Sequence, residues 1–395
     1  MVTGVYHSEV SGAANQCRQL VNALKEKVSF TVLTTTRNPN LPPRSQVDGV
    51  DVFRFLLKKR SVGNYCKAIL KFTTFFLSQR KDFQIVHMHG FSLKSLLLVL
   101  LSRLLNKKVI IKMTSVGHDD PVAMRQRGFL LNYFFSKADA YVGMSPLFDE
   151  LYRQSQLPSN RLKQIPNGVD TSRFSPVTVE EKSILRNELG LPNHMELMLF
   201  VGHFSREKCP DMLLEAWIGT IEKTLPTTGL VFVGSTNPDH YEVDTQLVEY
   251  INHLSAPFID EYIFFIEKIH ATEKVYKAVD MFVLPSLREG LPNALLEAMA
   301  CGLPVIVSRL EGVTDWVVTD GMNGLLVEPG NQVELGIALS GVLRNEKLAS
   351  LLGDKARRTV IERFSMTRVA EEYGELYGDL VAQGNKFTDA SPVSD

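Results

Sequence analysis

Two glutamates with seven residues between them, Glu289 and Glu297, stand in the stretch Pro285-Ser286-Leu287-Arg288-Glu289-Gly290-Leu291-Pro292-Asn293-Ala294-Leu295-Leu296-Glu297. Paired carboxylates can accept the hydroxyl groups of one polar ligand, and the neighbouring residues give this pair a geometry. The apolar run 280–284 reads as a buried strand that delivers Glu289 into a loop. Pro292 suits a first helical position, because its missing N–H would have had no partner there, and Gly302 with Pro304 marks a far end. A helix is therefore expected from about Pro292 to Cys301, carrying Glu297. Its first free amides, around Leu291, Asn293 and Ala294, open into the same loop, where the helix dipole favours an anion. Residues 303–308 continue as the next strand. Strand, loop, helix and strand in that order predict a phosphorylated ligand at the carboxyl end of a parallel sheet, with a carboxylate on each side. The plain alternative is two solvated surface charges, and the Glu-Gly-Leu-Pro and Ala-Cys-Gly-Leu-Pro-Val context weighs against it.

Elements able to position such a loop recur along the chain, as apolar runs alternating with helical periodicity, the pattern of an open α/β architecture. In the first half the candidate strands are 2–5, 29–34, 50–55, 85–89, 109–113 and 140–144, with helices at 15–25, 65–79, 93–105, 124–137 and 146–154. The run Val2 to Tyr6 reads as a strand lacking its first residues, as from a start codon assigned too late. Residues 158–176, rich in Pro, Asn, Gly and Ser, read as a connection between domains. In the second half the strands are 197–201, 229–233, 263–266, 281–284, 305–307 and 325–327, with helices at 210–220, 244–254, 272–278, 293–301 and 332–343. A last helical pattern covers 367–380, and a polar tail follows. Two doubly wound domains facing each other across a cleft are the expected fold.

Composition bounds the function. A chain of 395 residues with 45% apolar and 22% charged side chains has the make-up of a soluble globular protein of two domains. Its four scattered cysteines show no zinc-type pairing and fit a reducing compartment. The apolar run 93–105 is too short to span a bilayer and is expected to be a buried helix. The net charge of -1 hides an asymmetry: 24 Lys plus Arg face 11 Asp plus Glu up to Asp170, and 19 face 33 beyond it. Much of the positive excess lies in residues 54–81, where Arg54, Lys58, Lys59, Arg60, Lys67, Lys71, Arg80 and Lys81 alternate with aromatic residues and no acid intervenes. That composition suits an anionic membrane surface or an anionic acceptor. A core helix with a basic outer side is the competing reading, and nucleic acid, which attracts the same charge, is not expected.

Further motifs extend the pattern along the chain: Gly12-Ala13-Ala14, His87-Met88-His89-Gly90, Pro166-Asn167-Gly168-Val169-Asp170 with Phe174, Val201-Gly202 through Lys208, the block from Glu289 to Pro304, Gly312-Val313-Thr314-Asp315, and Asn323-Gly324-Leu325-Leu326-Val327. Together they resemble the retaining nucleotide-sugar glycosyltransferases of family four, group 1, over nearly the whole chain. The resemblance implies the GT-B fold, with an N-terminal acceptor-binding domain at 1–170, a C-terminal donor-binding domain at 171–363, and a C-terminal segment 364–395 whose helix crosses back to the first domain.

The same resemblance implies roles. Glu289 would contact hydroxyls of the transferred sugar and Glu297 the nucleotide ribose, while Gly290, Leu291, Asn293 and Ala294 would line the diphosphate. Lys208 matches the family's phosphate-binding lysine, whereas His203 replaces the arginine of its Val-Gly-Arg pattern; Arg206 is the candidate to make up the lost charge. Gly12 lies where the family places a glycine loop near the donor phosphates. A histidine of the first domain often stands near the donor sugar after a strand like 109–113; His118 is the candidate, although an ungapped match puts Thr114 there. Glu289, Lys208 and His118 are thus the expected catalytic set, with charge on the leaving group met by Lys208 and helix amides and no metal or other cofactor required. On the acceptor side stand His89 and the pair Asp119 and Asp120, which either accept hydrogen bonds from the acceptor or cap the following helix. The implied activity is transfer of a sugar from a nucleotide diphosphate sugar to a hydroxyl of a carbohydrate or lipid-linked acceptor, in surface polysaccharide or glycolipid biosynthesis. The expected location is cytoplasmic, peripheral at the inner face of the membrane. A nucleotide-sugar epimerase of the same architecture, or a non-catalytic subunit, is the alternative.

Overall fold

A computed structural model describes residues 1–395 except 10, 58–69, 71, 222–226, 238–242, 268, 270 and 386–395. The chain divides into two compact units, one formed by Met1–Gly168 with the chain from Met366 onward, the other by Val169–Ser365.

The first unit is built on strands β1 (Val2–Thr3), β2 (Thr31–Thr36), β3 (Arg44–Val47), β4 (Val50–Leu56), β5 (Ile85–His89), β6 (Lys108–Lys112), β7 (Ala140–Gly143) and β8 (Leu162–Gln164). They lie in the order β3-β4-β2-β1-β5-β6-β7-β8. All pairs are parallel except β3 with β4. Val2 is registered with Leu33 on one side and Met88 on the other, so the short β1 joins the two halves of the sheet. The helix Met366–Asn385 belongs to this unit and covers the sheet with Val369, Tyr373, Leu376 and Tyr377, packed against Ile110, Val142 and the helix Gly12–Leu24.

The second unit has strands β9 (Glu196–Val201), β10 (Thr228–Val233), β11 (Ile263–Ile266), β12 (Met281–Leu284), β13 (Val305–Ser308) and β14 (Leu325–Val327). Their order is β11-β10-β9-β12-β13-β14, and every pair is parallel. Strands β10, β12 and β13 are buried along their length, which is why they read as unbroken apolar runs. Chain order runs outward from β9 to β11, then restarts at β12 on the other flank of β9. The sheet therefore reverses its winding between β9 and β12.

Several expectations are corrected. The helix expected at 124–137 is two helices, Pro121–Gln126 and Phe129–Phe135, separated by Gly128 at φ +114°, a backbone that ends a helix and that side chains disfavour. Strands β3 and β8 and the helices Val179–Leu189 and Glu346–Arg363 were not expected. The first of those helices carries a legible signal, a capping box between Thr178 and Glu181. Pro292 is the N-cap of the helix Asn293–Ala300 and not its first residue, because its ψ of 117° is extended.

Residues 58–69 and 71 of the basic stretch 54–81, with five of its eight cations, lie outside the described residues, and Arg80 and Lys81 are exposed. Of its described members, Arg54 is buried and donates to Ser45 Oγ and to the His7 carbonyl, so its charge serves the fold. The rings of Phe53 and Phe75, of Phe55 and Phe72, and of Phe76 and Phe83 pack on one another, with Phe76 fully buried. Among the described residues no helix is long and apolar enough to cross a membrane.

Candidate active site

The reversal between β9 and β12 leaves a crevice at the carboxyl ends of those two strands, the place where open α/β sheets bind ligands. The loops that follow the two strands carry the residues singled out above. Lys208, after β9, and Glu289, after β12, meet with Nζ and Oε1 2.5 Å apart. Glu289's side chain is only 7% exposed and Lys208's 27%, so this pair is more shielded than an ordinary surface contact. The loops are tied twice more: the Leu287 amide donates to the Glu207 carbonyl at 2.7 Å, and the Arg288 guanidinium meets the Glu207 carboxylate at 2.6 Å. Four residues beyond Glu289 begins the helix Asn293–Ala300, whose first-turn amides have no partner within the helix. The β9 loop is pressed against the one after β10. A Cβ on Gly234 would lie 1.8 Å from the Gly202 carbonyl oxygen, so a glycine is required there.

Glu297 sits on that helix in a different environment. Burial pushes its carboxyl up to about 7, the Tyr276 hydroxyl and Arg173 pull it back, and Glu273 raises it further. Arg173 is held to Glu273 at 2.6 Å, and its neighbour Phe174 packs on the Tyr276 ring at 5.7 Å. Arg173, Glu273 and Tyr276 were not singled out from the sequence. Arg173 lies three residues past the Pro-Asn-Gly-Val-Asp motif, which is the one signal that pointed to it. His203 follows β9 and is partly buried in the same loop. Arg206 points elsewhere, since its exposed guanidinium is engaged by Asp244, the N-cap of the helix Thr245–Ser255, at 3.0 Å. It stands in an ion pair of its own, apart from the Lys208–Glu289 contact.

In the first unit the winding reverses between β1 and β5, and Gly12, His89 and the loop after β6 surround that point. Gly12 opens the helix Gly12–Leu24, capped by Ser11, whose hydroxyl accepts from the Ala14 amide. The two expected carboxylates are absorbed by the fold. Asp119 is buried and accepts from the Thr114 and Ser115 amides at 2.9 and 2.8 Å and from the Thr114 hydroxyl at 2.6 Å. Burial still outweighs those bonds and pushes it up to about 6. Asp120 is the N-cap of the helix Pro121–Gln126, accepting from Ala123 at 2.9 Å and from Gly117 at 2.6 Å. Of the two readings offered for the pair, the capping one describes Asp120. His89 is buried, both its ring nitrogens without a hydrogen-bond partner among the described residues, its ring 4.6 Å from that of His87, whose Nδ1 meets the Tyr377 hydroxyl of the C-terminal helix. Desolvation holds both imidazoles well below the usual histidine range, so both are neutral. His118 is exposed, its Nδ1 3.0 Å from the Arg127 guanidinium.

Comparison with known proteins gives this geometry a family context. Residues 196–345 match the family model described as glycosyl transferases group 1, and residues 11–168 match a glycosyl transferase 4-like domain. An uncharacterized glycosyltransferase of Methanocaldococcus jannaschii is 24% identical over 395 residues, taking in 95% of this chain and 97% of its own. The UDP-Gal:alpha-D-GlcNAc-diphosphoundecaprenol alpha-1,3-galactosyltransferase of Escherichia coli is 28% identical over 224 residues, 56% of this chain and 55% of its own, so the match spans about half of that relative. Among solved structures, Anabaena HepE in complex with UDP-glucose is similar at a TM-score of 0.76 and 16% identity, covering 96% of this chain and 99% of its own. At that identity the likeness is one of fold, and the fold is GT-B.

Proposed function

The chain belongs to the group 1 glycosyltransferases, and from that premise we propose that it moves a sugar, with retention of configuration, from a nucleotide diphosphate sugar bound by the second unit to an acceptor hydroxyl. The observation that carries the reading is the Lys208–Glu289 pair at the reversal between β9 and β12, just ahead of a helix start. In their contact the two side chains neutralise each other. A bound donor would separate their tasks, Lys208 turning to the diphosphate with the amides of the helix Asn293–Ala300, and Glu289 accepting from hydroxyls of the transferred sugar. Glu297 would accept from the ribose.

In the transfer the bond between the anomeric carbon and the phosphate oxygen breaks, the bond from that carbon to the acceptor oxygen forms on the same face, and the acceptor proton passes to the departing phosphate. Charge accumulates on the diphosphate, and Lys208 with the helix amides would take the part a divalent cation plays elsewhere. Glu289 is then a positioner of the sugar and not a nucleophile. The Escherichia coli relative acts, by its name, on a diphosphoundecaprenol-linked sugar, which supports a carbohydrate or lipid-linked acceptor, a role in surface polysaccharide or glycolipid biosynthesis, and a cytoplasmic site of action at the membrane.

A panel of UDP, GDP and ADP sugars, followed by nucleotide release with added acceptors, tests the reading, and the anomeric coupling of the product reports the stereochemistry. Transfer unaffected by a chelator is expected. Turnover that survives both Lys208→Ala and Glu297→Ala undiminished would overturn the site, and an inverted product would overturn the mechanism.

A further inference from the structure

The run 93–105, expected to be a buried helix, is instead half outside. In the helix Leu93–Leu104, Leu93, Leu97, Leu100 and Leu104 recur at i, i+4, i+7 and i+11 and so share one face. That face meets solvent: Leu93 is 71% exposed and Leu104 72%, with Leu100 exposed and Leu97 half-buried between them. The opposite face, with Leu98, Val99, Leu101 and Ser102, is the one that packs on the fold. Against this helix lies Phe129–Phe135, anchored by Phe135 on Phe91 at 5.2 Å and joined to it by the Arg103 guanidinium, which donates to the Lys137 carbonyl. It too turns apolar side chains outward, with Phe129 82% exposed beside Leu130 and Tyr133. The rings of Phe129 and Tyr133 stack at 5.9 Å, and the Lys137 ammonium lies over Tyr133 at 4.6 Å. Large exposed apolar patches on soluble domains mark interaction surfaces.

Charge selects the partner. Residues 83–138 hold eight Lys or Arg and two carboxylates, Asp119 and Asp120, both of which are buried in their own loop. Arg125 and Arg127 are exposed beside Phe129, and Arg103 and Lys137 flank the seam between the helices. Two carboxylates bound that span: Asp82 is exposed, whereas Asp139 is shielded and lies 3.6 Å from both Arg103 and Lys108. A second copy docked symmetrically on this face would set cations against cations. Nucleic acid would want the cations in the middle of the face, where aliphatic side chains stand. A bilayer with anionic headgroups satisfies both parts, aliphatic and aromatic side chains entering the boundary of the acyl region while the basic rim meets the headgroups.

We propose that the outward faces of the helices Leu93–Leu104 and Phe129–Phe135 form the surface by which this protein lies on an anionic membrane. The assignment deepens the reading of an enzyme acting on lipid-linked glycans and rests on that reading for its purpose, but binding can be measured without donor or acceptor.

The full chain is sedimented with vesicles of phosphatidylglycerol and phosphatidylcholine and with phosphatidylcholine alone, at low and high salt. Binding to the anionic vesicles that weakens with salt is expected. The variant Leu100→Asn/Leu104→Asn/Phe129→Asn, changed only at exposed positions, should bind at least about tenfold more weakly with an unchanged melting profile. A second variant, Arg125→Ser/Arg127→Ser, should lose the preference for anionic lipid while retaining weak binding. Failure of the unmodified chain to sediment, equal binding by the leucine and phenylalanine variant, or a dimer that this variant converts to monomer without change in vesicle binding would each overturn the assignment. Thermal shift by UDP on the same samples reports the donor site independently, so loss of one reading leaves the other standing on its own measurement.

Discussion

Both units of the molecule reverse the winding of their sheets next to their first strand, and they fill the reversal in opposite ways. In the second unit the loops after β9 and β12 present a lysine and a glutamate in a 2.5 Å contact just ahead of a helix start. In the first unit the two carboxylates near the corresponding point are already committed. Asp119 and Asp120 hold the backbone of residues 114–123, while His89 is a buried ring beside His87 with its imidazole held well below the usual histidine range by desolvation. The difference teaches that a carboxylate in a loop at the edge of a sheet is informative only once its hydrogen-bond partners are known. Backbone amides in need of an acceptor consume it as readily as a substrate would.

The contrast can be broken experimentally, and the largest expected effect is at Lys208. Lys208→Ala should lower kcat/KM for transfer by about 10² to 10³, or roughly 3 to 4 kcal/mol, the scale of one lost charge-stabilising donor, in steady-state assays. Gly234→Ala forces a methyl group into the Gly202 carbonyl and should cost about 3 kcal/mol of stability in denaturant titrations, damaging donor binding with it. Retained stability would show that the two loops are less closely coupled than their contact implies.

Glu297 offers a pH test. Its folded carboxyl is raised to about 7, above its unfolded value, so the folded chain holds a proton that the unfolded chain has lost through the window from about 4.5 to 7. Stability should therefore fall as pH rises through that window and level off above it. A donor that needs the carboxylate should bind less well as pH falls below about 7, its KM rising toward tenfold per unit. In Glu297→Gln that dependence should vanish and donor KM at pH 8 should rise about tenfold.

Asp120→Ala sharpens the other side of the comparison. It should cost about 1 kcal/mol of stability through the lost cap and leave donor KM unchanged. A change in donor KM would give Asp120 a role beyond its loop. The smallest effect is expected for Arg206→Ala, whose guanidinium is exposed and engaged by Asp244, with melting temperature and donor KM both unmoved.

Much of the arrangement around Glu289 and Glu297 was legible because it is local. The apolar run of β12, Pro292 and Gly302 place Glu289 and Glu297 about a helix start using contacts among close neighbours in sequence. The first unit was harder to read. The helix at 93–105 looks buried from its composition, and only the packing of its far face reveals which leucines are left in solvent. The interruption at Gly128 turned one expected helix into two, and the short strands β3 and β8 carry too little apolar pattern to be seen without their neighbours.

The sequence by itself determined the alternation of strands and helices, the helix start between the two glutamates, the electrostatic contrast of the halves and the family. These depend on residue type over a few turns or on simple totals. Tertiary structure alone decided that β12 returns beside β9, which brings Lys208 to Glu289 across 81 positions of chain. It alone decided that Asp244 takes Arg206, that Asp119 and His89 are enclosed, and that Phe129 and the leucines of 93–104 face outward. Which charge meets which, and which apolar face is left uncovered, follow from long-range strand order and packing, and no local pattern records them.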